Sequence, residues 1–219
     1  MPRANETPTQ LVRRWLPTYY FLRAGVSAGW ITLAVLVGKN TPAVSAALLV
    51  AYPAWDAIAN YIDAQKVGGL RLNRSQMLNF FASVITAIAV AFALTKGMSA
   101  ILLVFGAWAF IAGVLQLVTG VRRWELGGQW AMVLSGGQSA LVSLFFFKKA
   151  ASASALDPTA IAGYATLGAV YFLISAIWLT VKNARLRRSR RDVMLQGQDV
   201  EIIPAEAQSA SKRTSSLSM

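Results

Sequence analysis

Apolar residues fall along this chain in six blocks, each about as long as a membrane-crossing helix, with polar residues gathered between them. A helix rises about 1.5 Å per residue, so about 20 apolar residues span a hydrocarbon core of about 30 Å. The blocks lie near Pro17–Gly38, Pro42–Ile62, Gln76–Thr95, Met98–Thr119, Gln129–Phe147 and Ala160–Val181. Lys39–Thr41 and Lys96–Gly97 separate two pairs of blocks so briefly that tight helical hairpins are expected there. The pattern predicts an all-α membrane protein of six transmembrane helices arranged as three repeated helical hairpins. Its parts are a polar N-terminal segment (1–15), a transmembrane domain (16–182, repeats about 16–74, 75–126 and 127–182) and a tail (183–219) that is basic and then disordered.

Composition narrows the chemistry. Of 219 residues, 56% are hydrophobic and only 14% charged, against about a quarter charged in soluble domains. Cys and His are absent. That excludes disulfides, His or Cys metal and haem ligation, Ser-His-Asp triads and Cys nucleophiles. No metal or cofactor is expected. Arg13-Arg14 ahead of an apolar run resembles the start of an export signal. The run is too long for one, carries Arg23 and precedes five further spans, so a retained first helix is expected.

The net charge of +12 is distributed unevenly. Sixteen Lys and Arg fall in the N-terminal segment, the second and fourth connections and the tail, against four at Lys39, Lys96, Lys148 and Lys149. The positive-inside rule then puts both termini in the cytoplasm, as an even number of spans requires. A multi-pass membrane protein with both termini on one side is expected.

The second and fourth spans align without gaps at an offset of 53 residues. Leu48 to Trp55 lies over Ile101 to Trp108, and Ile58-Ala59-Asn60 over Ile111-Ala112-Gly113. The sixth span joins through Gly168-Ala169 over Gly106-Ala107 and Phe172 over Phe110. Self-similarity at this period reads as three parallel copies of one hairpin. The stretch from Gly106 to Leu117, then Gly120 to Arg123, Gly128-Gln129-Trp130 and Leu134 to Gly137, resembles the HdeD-like family, bacterial inner-membrane proteins built from a short repeat of unknown function. The resemblance is best over about 98–182 and does not cover the tail; Asn60 stands where the family has Gly. It implies a multi-pass protein of a bacterial plasma (inner) membrane with a part in acid or envelope stress resistance, and it carries over no catalytic residue.

Two ionisable groups fall at membrane depth, where charge is costly. Arg23 lies seven residues into the first span and Asp56 seven residues before the end of the second, each roughly 10 Å deep. Antiparallel packing brings them level, and an ion pair is expected. Tyr52, Asp56 and Asn60 share one helix face at i, i+4 and i+8. Gln116 and Gln138 add intramembrane polarity on other spans. These six residues either pin helices together or line a solute or proton pathway. Of the acids Asp56, Asp63, Glu125 and Asp157, only Asp56 is expected to be buried. That leaves no carboxylate pair for acid–base catalysis, and no enzyme is expected.

Gly25-x-x-x-Gly29 and Ala109-x-x-x-Gly113 have the small-residue spacing of close helix packing, expected within this chain. Six basic residues, Lys182, Arg185, Arg187, Arg188, Arg190 and Arg191, follow the last span and suit anionic lipid headgroups. The partners expected are therefore the bilayer and its anionic lipids, with a protein partner or a second copy open, and no nucleic acid. The alternatives to the stress reading are a small transporter or proton-conducting protein using Asp56 with Arg23, and a membrane scaffold.

Overall fold

The computed structural model describes residues 8–66, 68–122, 130–152 and 157–215. Among them the regular structure is helical throughout, in six long α-helices: α1 Pro8–Leu36, α2 Pro42–Lys66, α3 Arg74–Ala93, α4 Met98–Arg122, α5 Trp130–Ala150 and α6 Thr159–Ser215. Single turns of 3-10 helix, Gly38–Asn40 and Leu94–Lys96, carry the chain from α1 to α2 and from α3 to α4.

Among the described residues, five stretches are long and apolar enough to cross a membrane: Arg14–Asn40, Pro42–Lys66, Arg74–Lys96, Met98–Val118 and Thr159–Ser189. The fifth long helix, α5, packs along α4. Large apolar side chains point outward all around these helices. Leu36, Ile85, Phe92, Leu141 and Leu144 are each more than half exposed. Water would penalise a belt of this extent, whereas lipid tails welcome it. The chain is a multi-pass membrane protein.

The molecule divides into two compact units, residues 1–177 and 178–219. In the first unit, the end that holds the two 3-10 turns is dry. There Trp30, Leu49, Val90, Ile101, Leu102, Phe105, Phe146 and Ile161 form one buried cluster drawn from all six helices. Trp30 satisfies its indole by donating to the Leu48 carbonyl at 2.8 Å, so no polar atom is stranded in this half on its account. Polar side chains collect at the other end of the same helices.

The tightest pairings are α4 with α5 and α2 with α3, not the two pairs joined by short turns. Glycine explains the first. A Cβ on Gly113 would stand 2.7 Å from both the Ala140 nitrogen and the Gly136 carbonyl oxygen, and one on Gly136 would stand 2.8 Å from the Gly113 oxygen. Only missing side chains let two backbones approach so closely. A short turn ties two helix ends but does not by itself bring their faces together.

One further expectation is corrected. Helix α6 continues to Ser215 through the tail expected to be disordered, and α1 already begins at Pro8, within the polar N-terminal segment. The residues after Val181 are rich in Arg, Leu, Gln, Ala, Glu and Lys, all good helix formers, which low hydrophobicity alone concealed. In the second unit, Lys182 lays its ammonium 5.3 Å from the centre of the Trp178 ring one turn earlier. Arg185, Arg187 and Arg188 are exposed. The side chains of Arg190 and Arg191 lie outside the described residues.

Candidate functional site

The polar end of the first unit encloses a cavity of about 210 Å³ to which all six helices contribute. The intramembrane residues singled out from the sequence, Arg23, Tyr52, Asp56, Asn60, Gln116 and Gln138, all line it. They reach it because the N-terminal half of α1, the C-terminal halves of α2 and α4 and the N-terminal half of α5 lie at the same end of the bundle.

Asp56 is the hub. Arg23 donates from Nη2 to Asp56 Oδ1 as a salt bridge. Ser83 Oγ donates to Oδ2 at 2.7 Å, and Asn60 Nδ2 donates to the same oxygen at 3.0 Å. Asn60 also donates to the Asp56 carbonyl at 2.8 Å. Trp108 Nε1 donates to Ser83 Oγ at 3.1 Å. One carboxylate therefore ties α1, α2, α3 and α4 together. Nη1 of Arg23 donates to the Tyr19 hydroxyl at 3.0 Å, and the guanidinium lies 4.3 Å from the centre of the Phe172 ring on α6. The flat, delocalised cation accepts both an in-plane partner and a ring face.

A second buried carboxylate lies two turns along the same face of α2. Asp63 is 6% exposed, which overturns the expectation that only Asp56 is buried. It accepts from Trp15 Nε1 at 2.9 Å and from Gln76 Nε2 at 3.2 Å. The short loop after Lys66 folds α3 back so that Gln76 covers Asp63. Sequence position near the helix end concealed this, although the spacing of seven from Asp56 pointed to a shared face.

Aromatic rings close the cavity toward the dry half. Tyr52 packs with Trp30, Phe105 and Trp108 at centroid distances of 4.9, 6.3 and 6.0 Å. Tyr164 of α6 packs with Trp108 and Phe146 at 6.3 and 5.7 Å. Trp55 and Trp108, equivalent in the internal alignment, both line the cavity.

Three buried polar atoms on the cavity wall have no partner among the described residues: Arg23 Nε, Trp55 Nε1 and Gln76 Oε1. The amides of Asn79, Gln116 and Gln138 line the same cavity. Leaving the three buried atoms unmatched is expensive, so they suit water or a polar solute. Among the described residues no three Asp, Glu, His or Cys side chains gather as metal ligands.

The glycine positions separate. Gly113 forms the α4–α5 contact, beside the fully buried Ala109. Gly25 and Gly29, expected to pack within the chain, are exposed and have nothing within 4 Å of where a Cβ would stand. Among the described residues nothing packs against α1 at these two positions.

Comparison with known proteins yields a likeness to a family of short repeats. Residues 81–148 match the family model described as a short repeat of unknown function, DUF308. The matched stretch runs from the middle of α3 through α4 and nearly all of α5, and so includes the glycine-mediated helix pair. No curated protein and no solved structure matches the chain. Over this third of its length the chain is similar to that family of short repeats.

Proposed function

We propose that this protein is a small, non-enzymatic transporter that holds a polar solute in a one-sided vestibule within its helix bundle. The observation that carries the reading is the division of the bundle into two halves. A polar cavity gathers side chains from all six helices, and an aromatic layer stops it short of the opposite face. A binding site near the midplane, closed toward one side, is what alternating access needs.

The hydrogen bonding around Asp56 favours a solute carrier over a proton wire. Both oxygens of Asp56 are engaged by Arg23, Ser83 and Asn60, so the pair fixes helices and shapes the wall. In this reading Arg23 and Asp56 are positioning residues. In this reading the cavity mouth faces the cytoplasmic side of a bacterial inner membrane, as the basic connections favour under the positive-inside rule, with both termini on that side and the basic run after the last span on anionic lipid. The match over 81–148 supports a membrane protein of the short-repeat kind; the part in acid or envelope stress, in which the solute would be moved, rests on the sequence resemblance to the HdeD-like proteins alone.

The absence of native Cys gives a clean test. Gln138→Cys, on the cavity wall, should react with a membrane-impermeant methanethiosulfonate applied from the C-terminal side. Leu102→Cys, in the dry cluster, should not. Equal reactivity at both positions, or none at Gln138→Cys, would refute the vestibule.

A further inference from the structure

The charges within the cavity do not balance. Arg23, Asp56 and Asp63 all line it. The guanidinium is committed to Asp56, while Asp63 has no Lys or Arg within 4 Å among the described residues. Lys66, one turn further along α2, lays its ammonium 5.5 Å from the centre of the Trp15 ring and forms no salt bridge with Asp63. Asp63 is held by two neutral donors, so each of its oxygens keeps a lone pair free. Beside it, Gln76 spends its amide N–H on Asp63, which leaves Oε1 buried and unpartnered. A buried carboxylate without a counter-ion, adjacent to an unmatched carbonyl, is unfavourable until a cation that also donates hydrogen bonds arrives.

We propose that Asp63 and Gln76 form the recognition site for a small protonated amine. This assignment rests on the vestibule reading and names its solute class. A primary ammonium has three N–H donors: one can reach the Asp63 carboxylate and one Gln76 Oε1. The Tyr19 and Tyr20 rings, on the adjoining wall, supply the aromatic surface that an ammonium prefers. A quaternary ammonium has the charge but no donor and leaves Gln76 unmatched. A bare alkali cation prefers more oxygen ligands than one carboxylate and one carbonyl provide. At about 210 Å³ the cavity is smaller than most drug-sized pockets and suits an amine of a few heavy atoms.

The site is testable by protection of a single cysteine in the full-length chain in liposomes. Asn79→Cys stands one turn after Gln76 on the cavity wall. A small anionic methanethiosulfonate should label it, and ethylammonium chloride should slow labelling at least tenfold in a saturable way. Tetramethylammonium chloride and sodium chloride at equal ionic strength should leave the rate unchanged. Adding Asp63→Asn should abolish the protection while labelling continues. If that variant fails to fold, Gln76→Leu, which keeps the carboxylate, should weaken protection at least tenfold. Equal protection by all three salts, or protection that survives these substitutions, would overturn the assignment. Labelling of Asn79→Cys without protection would defeat the amine site and leave the vestibule standing. If neither Asn79→Cys nor Gln138→Cys is labelled, both readings fall.

Discussion

The Arg23–Asp56 pair offers the sharpest energetic test. Its side chains are only 14% and 16% exposed. Removing one partner from a buried pair costs about 3–5 kcal/mol, because the other is left charged and uncompensated. Residual exposure puts this pair at the low end, about 3 kcal/mol, or roughly a hundredfold in the folding equilibrium at 1.4 kcal/mol per decade. The two single substitutions should differ. Arg23→Met leaves Asp56 with Ser83 and Asn60 still donating to it. Asp56→Leu leaves Arg23 with a neutral tyrosine hydroxyl and the Phe172 ring, so it should cost more. The double variant Arg23→Met/Asp56→Leu removes both charges and should be more stable than Asp56→Leu alone. A swap, Arg23→Asp/Asp56→Arg, restores opposite charges but takes the acceptor away from Ser83 and Asn60, so it should recover only part of the loss. The assay is equilibrium unfolding in mixed micelles, read as a double-mutant cycle. Additive costs, with a coupling below about 0.5 kcal/mol, would refute the pair as an energetic unit.

Gly113→Ala should destabilise by about 1–3 kcal/mol, the usual cost of overpacking, because both obstructing atoms are backbone. Gly137→Ala, whose Cβ would find only Leu117 Cδ2 at 4.0 Å, should cost nothing or gain slightly; equal effects in the same unfolding assay would remove the basis for the close contact. Gly25→Ala and Gly29→Ala should stabilise the monomer by up to about 1 kcal/mol through helix propensity. A loss of stability that depends on protein concentration would instead reveal a second copy on that face of α1. Trp108→Phe should cost about 0.5–1.5 kcal/mol by deleting the donor to Ser83, measured by thermal unfolding. A C-terminal fluorescent protein should light up in the cytoplasm, and a periplasmic-active reporter inserted after Lys96 should be active; the reverse pattern would invert the assigned topology.

The spans were plain in the sequence because the bilayer imposes a length and a polarity that no other solvent demands. The depth of Arg23 and Asp56 followed from counting residues along two helices joined by a short turn. So did the shared face of Tyr52, Asp56 and Asn60, since helical periodicity is local. Asp63 was misjudged for the same reason: it lies near a helix end, and only the return of α3 covers it with Gln76. The small-residue spacings were equally ambiguous. Gly25-x-x-x-Gly29 and Ala109-x-x-x-Gly113 have the same pattern, yet only the second meets another helix, because a spacing describes one face and not what lies opposite it.

What the sequence determined by itself is whatever one helix and a bilayer can decide: the length and polarity of the apolar segments, the uneven share of Lys and Arg among their connections and the face on which each polar residue stands. Only the tertiary structure decided which faces meet. It set α4 against α5 through Gly113 and Gly136, gathered six helices around one cavity and sealed that cavity with Tyr52, Trp108 and Tyr164. It also left Asp63 buried with no Lys or Arg in salt-bridge range among the described residues. Lipid is as apolar as the helices it surrounds, so burial of apolar surface does not choose the partners there. The choice falls to close backbone approach and to a few buried polar contacts, and both depend on residues far apart in the chain.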